Sequence, residues 1–393
     1  MSSTPEVSII LPTYNRADTL GRAIDSVLAQ SFQDWELIVV DDGSTDGTAD
    51  LFVGMDPRVH LVRQANAGVG AARNTGLAAS RGRFLTFLDS DDAWLPHFLE
   101  LTTSFLRHAP HEHFVTTEFN QDYGNGHVIR HNVTGVKLYA SFARSIGSTS
   151  LDLPSGQTDE YLRVYGTKEA VGEWAQAGLV SAGLSTAQIY HGNIFRHMRW
   201  GYLSWLPVTM LTRYAYEAIG PFVTTARSAE DYLFMGLLAK KFSANMIGVP
   251  SAIKYEKAAG TTSLQQDHLA TGGNSYSFEM NKLAHFQKLF KDEFFKDPEL
   301  SLILRHYQMY TGFAALRAGM RSDAIQHLGA AACWKPHLRR AYAMIVFAML
   351  SPSDRAARDI LDLWFRGSNL VWRVMKGHTS LAELLYKMLK QPS

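Results

Sequence analysis

Between Val7 and Leu88, short apolar runs alternate with stretches of helical period, and that alternation confines the chain to an α/β architecture. Val7-Ser8-Ile9-Ile10-Leu11 reads as a strand ended by Pro12, and Ala17 to Leu28 sets Leu20, Ile24, Val27 and Leu28 on one helical face behind Asp18. Trp35 to Val40 reads as the second strand, Val59 to Val62 as a third, Gly70 to Ala79 as a helix and Arg83 to Leu88 as a fourth strand. Strands joined through helices run parallel, and open parallel sheets gather their ligands at the strands' carboxyl ends. Two of those ends are acidic: Asp41-Asp42-Gly43-Ser44 follows the second strand and Asp89-Ser90-Asp91-Asp92 the fourth.

Asp89 and Asp91 are two residues apart, so in extended backbone both carboxylates face one side. Magnesium and manganese take such hard oxygen ligands and share their other positions with water and substrate phosphates. A solvated turn capping a helix near Trp94 would explain the same residues. Asp42 could accept a hydrogen bond from a base N–H or a ribose hydroxyl, or could cap a turn. Asn66-Ala67-Gly68-Val69-Gly70-Ala71-Ala72-Arg73-Asn74 lacks the endings of a P-loop and of a dinucleotide fingerprint. Arg73 could meet a diphosphate there or pair with a neighbouring carboxylate. Glu230-Asp231 opens an apolar helix, where the acids could serve the helix N-terminus or act as a general base toward a hydroxyl.

Composition removes several classes. With 38 Lys plus Arg against 37 Asp plus Glu, the net charge of +1 gives no whole-chain attraction to nucleic acid or an anionic membrane. One cysteine, Cys333, cannot form an internal disulfide, which fits a reducing compartment. No secretory signal opens the sequence, and the longest apolar run, Ala341 to Leu350, is half of the roughly 20 residues of a spanning helix. No zinc-type spacing involves His191 or His197.

From Thr116 to Trp200 the pattern is irregular, with a hairpin-turn signal at Tyr123-Gly124-Asn125-Gly126. Trp174, Tyr190, Trp200, Tyr202 and Trp205 could stack on sugars, although aromatics mostly fill cores. Strand pattern returns at Val208 to Leu211 and helix from Ala229 to Lys241, and beyond Glu279 the chain reads as helical. Phe313 to Gly319 and Asp323 to Leu328 form a helix-pair pattern. Beyond it, ten Lys or Arg residues face four acids from Lys335 onward, a basic, aromatic-rich tail that could lie on an anionic bilayer or pack as an amphipathic helix.

Taken together, Val7 to Asn15, Val39 to Thr48, Asn66 to Asn74, Phe87 to Pro96 and Glu230-Asp231 resemble glycosyltransferase family 2 in order and separation, over about residues 5 to 260. The resemblance implies a GT-A nucleotide-diphospho-sugar transferase fold, a Rossmann-like mixed sheet flanked by helices, here with a helical C-terminal extension. It implies that Pro12, Tyr14 and Asp42 line a nucleoside pocket, that Arg73 approaches the nucleotide, and that Asp91 binds the metal directly. Asp89 would hold the ribose or a metal-bound water, with Ser90 between them. Asp231 would be the base and Glu230 its orienting neighbour. The family's histidine after the base helix has no counterpart, since Tyr255-Glu256-Lys257-Ala258 puts Ala258 there and leaves Lys257 as a substitute.

The expected organisation is a catalytic domain over 1–265, split into a nucleotide-sugar half (1–115) and an acceptor half (116–265), then a helical region over 266–393. The expected activity is inverting transfer from a nucleotide sugar, a uridine diphosphate sugar by this reading, aided by Mn2+ or Mg2+. The acceptor would be a hydroxyl of a glycan, a lipid-linked saccharide or another molecule, in polysaccharide or cell-envelope assembly. No nucleic acid partner is expected, and the setting is cytoplasmic, with peripheral contact at the inner face of a membrane through the basic tail. A sugar-nucleotide-binding protein weakened in catalysis, or a membrane-peripheral scaffold, is the competing reading.

Overall fold

In a computed structural model of the protein, β1 (Val7–Thr13) and β2 (Trp35–Asp41) are buried along their whole length, as parallel strands covered on both faces must be. The described residues are 4–122, 124, 128–130, 136–137, 140, 143, 148–153, 155–226, 228–255, 273–294 and 297–332. Alternate side chains of β1 sort to opposite layers. Ile9 and Leu11 join Leu20, Ile24 and Val27 of α1 (Ala17–Leu28) in one core. Ile10 points the other way, beneath α2 (Val69–Ala79), where a Cβ on Gly76 would stand 2.6 Å from the Ile10 Cγ2. Each such aliphatic side chain removed from water contributes about 1.5–3 kcal/mol, so this two-sided burial sets the strand register.

The sheet runs β3-β2-β1-β4-β10-β6-β11-β9-β8, where β3 is Val59–Arg63, β4 Phe84–Phe87, β6 Phe114–Asp122, β8 Thr167–Ala170, β9 Gln188–Gly192, β10 Thr209–Thr212 and β11 Ala244–Tyr255. The first four strands are parallel, β10 lies antiparallel between β4 and β6, and β6 pairs parallel with β11. Two short strands sit off this path: β5 (Ala93–Trp94) on β11 and β7 (Val128–Arg130) on β6. The helices α3 (Phe98–His108), α4 (Gln176–Ser181), α5 (Arg213–Ile219) and α6 (Glu230–Lys241) complete the layers.

One expectation changes, one alternative falls away and the unassigned stretch gains a structure. Pro12 does not end β1: the ladder with β2 continues through Pro12 and Thr13. It can, because the pairing of β1 with β4 stops at Ile10, so the edge at Pro12 needs no ladder donor. Nor does a helix start near Trp94, which is in β5; α3 begins at Phe98 behind His97. The irregular middle stretch adds a β8–β9 hairpin to the sheet, and its aromatics mostly pack inside. Trp174 lies against Phe105 and His108, Trp205 against Phe119, and the Tyr190 phenol donates to Asp159.

The chain divides into two units, Met1–Thr261 and Thr262–Ser393. The expected boundary at 265, Lys257, Ala258, Cys333 and the basic tail lie outside the described residues. In the second unit α7 (Gly273–Leu289) and α8 (Pro298–Arg317) are followed by α9 (Arg321–Ala332). Asp297 accepts from the Glu299 N–H and Pro298 occupies the first turn, a start that suits both residue types. Phe313, Ala315 and Leu316 pack with Ala324 and Leu328, which is the expected helix pair.

Candidate functional site

Where β1 and β2 end, the side chains that follow hold the backbone of one another's loops. Asp41, fully buried, accepts from the Ser44 N–H and from Arg63 Nε. The Ser44 hydroxyl accepts from the Asn15 N–H, and Asn15 Oδ1 accepts from the Thr45 N–H. Asn15 stands at φ +50°, a left-handed conformation that asparagine tolerates. Asp42 accepts at 2.7–2.9 Å from Gln64 Nε2 and the Ala67 and Gly68 N–H groups. Pro12 is buried beside this corner, while Tyr14 is 49% exposed and lies open to a ligand.

The acidic turn continues β4 at the same edge of the sheet. Leu88 donates to the Ile10 carbonyl, prolonging the ladder by one residue and delivering Asp89 beside β1. Ser90 is buried, whereas the Asp89 and Asp91 side chains stay 30% and 27% exposed. Burial and the neighbouring Asp89 charge push the Asp91 carboxyl up, against the pull of Arg16, 3.7 Å away, and of Lys254. Arg22 donates to the Asp91 carbonyl and lies 3.8 Å over the Tyr255 ring. Asp92 is no helix cap. It is buried and accepts from the Tyr255 N–H, tying the turn to the end of β11, and burial beside Asp91 and Asp89 raises its pKa well above the usual carboxylate range.

Arg73 joins this turn to the second half of the unit. Its side chain is 5% exposed and donates to Asp89 Oδ1 at 2.9 Å and to Glu230 Oε1 at 2.5 Å. The guanidinium thus pairs with carboxylates, the other of the two roles that its sequence position offered. Removing Arg73 would leave the buried Glu230 carboxylate without its ion-pair partner, at a cost of about 3–5 kcal/mol. Asn66 to Asn74 proves to be a packing element. A Cβ on Gly70 would meet the Val223 carbonyl at 2.5 Å, and the Asn74 amide donates to the Phe222 carbonyl and accepts from the Phe222 N–H.

Beside Glu230, Asp231 sits in the first turn of α6, after Ala229 at φ +58°. A left-handed alanine costs about 1–2 kcal/mol, and it turns the chain so that both acids enter the site. Burial, then the Glu230 and Asp89 charges, raise the Asp231 carboxyl to about 7, against the attraction of Arg73. Asp231 Oδ1 accepts from the Tyr232 N–H at 2.8 Å and from the Tyr202 phenol at 3.1 Å. Sequence reasoning included Tyr202 only among aromatics that might stack on sugars; its place on Asp231 depends on a contact 29 residues away that no local signal carries.

The acidic turn suits a hard divalent cation: Asp91 and Asp89 are like charges with partly exposed side chains, and Asp89 raises the affinity of Asp91 for a proton, as it would for any cation. Among the described residues no group of three or more His, Cys, Asp or Glu is placed to hold a metal, so water and phosphate oxygens would have to complete the coordination. His197 is half-buried and desolvation lowers its pKa to about 4, and His191 faces Asn245 through Nδ1, so both serve the fold.

Residues 8–155 match the model of "Glycosyl transferase family 2". The UDP-Glc:alpha-D-GlcNAc-diphosphoundecaprenol beta-1,3-glucosyltransferase WfgD of Escherichia coli is 39% identical over 128 residues, 32% of this chain and 47% of that protein. The succinoglycan biosynthesis protein ExoO of Rhizobium meliloti is 46% identical over 98 residues, 24% of this chain and 28% of that one. These matches span less than half of either relative. The crystal structure of S. aureus TarS 1-349 in complex with UDP-GlcNAc shares the fold, with a TM-score of 0.52 at 16% identity over 92% of each chain.

Proposed function

Residues 8–155 of this chain belong to glycosyl transferase family 2, and from that premise we propose that the protein is an inverting glycosyltransferase using a nucleoside diphosphate sugar, in particular a uridine diphosphate sugar. The observation that carries the reading is the bridge from the acidic turn through Arg73 to Glu230 and the neighbouring Asp231. Through it a candidate base, raised to about 7, feels the charge of the partly exposed Asp89 at the sheet's carboxyl edge. A base poised near neutrality takes a hydroxyl proton efficiently.

In this reading Tyr14 and Asp42 receive the nucleoside, and Asp89, Ser90 and Asp91 face the ribose and diphosphate. Asp231 removes the acceptor's proton as its oxygen attacks the anomeric carbon, and the diphosphate leaves from the opposite face. A magnesium or manganese ion held by Asp91, with Asp89 beside it, would neutralise the charge growing on that leaving group. Arg16 and Lys254, whose charges act on Asp91, add positive potential at the same place. Residues 1–265 form the catalytic domain in this reading and 266–393 a helical region.

The UDP-GlcNAc bound by TarS supports a uridine diphosphate donor, and the diphosphoundecaprenol substrate in the name of WfgD supports a lipid-linked saccharide acceptor. An acceptor of that kind would bring the protein to the inner face of a membrane. Among the described residues no helix is long and apolar enough to cross one.

The test is a thermal-shift and turnover screen of uridine diphosphate sugars with and without manganese. A donor should raise the unfolding temperature only with metal, and Asp231→Asn should lose 10²-fold or more in turnover while keeping that shift. Donor binding without turnover in the wild type would instead favour a binding protein. Full turnover in folded Asp231→Asn would remove Asp231 as the base.

A further inference from the structure

Resting on the reading of Asp231 as base, we propose that Tyr202 is a positioning residue that decides which oxygen of Asp231 takes the acceptor's proton. Oδ1 accepts two hydrogen bonds, from the Tyr202 phenol and the Tyr232 N–H, while Oδ2 accepts none among the described residues. A carboxylate held at one oxygen by two donors keeps its other oxygen as the stronger proton acceptor and cannot rotate to exchange the two.

The phenol is held independently of Asp231. Phe195–Trp200 winds as a 3-10 turn along α6, where the Tyr232 phenol donates to the Met198 carbonyl at 2.8 Å and Lys240 Nζ lies 5.1 Å over the Phe195 ring. The Tyr202 and Tyr232 rings lie 5.2 Å apart. Gly201, at φ +147°, then turns the chain and sends Tyr202 toward the start of the helix. The segment thus grips α6 at two points and delivers one donor to Asp231. The other charges acting on Asp231 are Glu230 in its own helix, Arg73 from α2 and Asp89 from the acidic turn, and none of them makes a hydrogen bond to it.

The test uses the full chain with 13C-labelled aspartate carboxyls, the Asp231 resonance being the one missing from Asp231→Asn. Tyr202→Phe deletes a donor to the ionised form, so the Asp231 midpoint should rise, its ionisation constant falling about tenfold. Tyr232→Phe keeps the Tyr232 N–H and the Tyr202 phenol but removes one of the segment's two grips on α6, and should move the midpoint less than Tyr202→Phe does. An unchanged midpoint in Tyr202→Phe, or an equal displacement by Tyr232→Phe, overturns the proposal. Should Tyr202→Phe not fold, 3-fluorotyrosine at position 202 is a stronger donor and should lower the midpoint; no change there has the same force. The base reading fails separately, if Asp231→Asn releases UDP from UDP-glucose or UDP-N-acetylglucosamine with manganese at the wild-type rate, and the role of Tyr202 fails with it.

Discussion

Asp231 carries a charge that the fold disfavours, and that has consequences for both rate and stability. Its carboxyl is raised from 3.8 to about 7 by burial and by Glu230 and Asp89. A base must be ionised, so turnover should fall tenfold per pH unit below about 7, with the limb moving to lower pH in Glu230→Gln, where a like charge is gone. A pH–rate profile of the two proteins checks this; a limb that stays put in Glu230→Gln would assign the shift to burial and Asp89. For stability the sign is opposite to that of a salt-bridged acid. A carboxyl with a raised folded pKa favours the folded state fully below about 4 and loses that contribution as pH rises through about 7. Asp231→Asn does not titrate, so its melting temperature should gain on the wild type across that window and stay above it at pH 8, a gain bought with lost activity.

At the scale of elements, α2 is the piece on which the two halves of the first unit close. Its Gly70 and Asn74 contact the 222–223 backbone, and its Arg73 contacts Asp89 and Glu230. The nearest neighbours of a Cβ on Gly76 are side chains of the sheet, Ile10 and Val40. Gly76→Ala should therefore cost about 1–3 kcal/mol by overpacking while the remaining folded protein turns over normally. Gly70→Ala must push the Val223 carbonyl away and should lower kcat beyond what its lost stability explains. Asn74→Ala, which leaves the Phe222 N–H and carbonyl without their side-chain partner, should do the same more mildly, costing about 1–3 kcal/mol. Urea melts beside kcat for the three variants separate packing from alignment. Equal kcat losses in Gly76→Ala and Gly70→Ala would refute the distinction.

For the whole molecule, each unit has a core of its own: the layered sheet in one, and in the other the packing of Phe313, Ala315 and Leu316 on Ala324 and Leu328. Separate cores predict two calorimetric unfolding transitions. A uridine diphosphate sugar with manganese should raise only the transition of the sheet unit, by about 2.7 kcal/mol at a hundred times the dissociation constant. A single transition that shifts as one would show the units to be energetically fused.

Sequence alone determined the α/β units of the first hundred residues, because strand and helix periods are local properties and each element there buries a face set by its own spacing. It also determined that acids stand at two strand ends. What it misjudged depended on neighbours: Pro12 stays in β1 because β4 has already ended, and Trp94 is in a strand because β11 pairs with it. Only the tertiary structure decided what the acids do to one another. Arg73, Asp89 and Glu230 meet across 157 residues of sequence, and Tyr202 reaches Asp231 from a segment without periodicity. Hydrogen bonds and charge interactions depend on separation in space, to which residue order over such distances is blind.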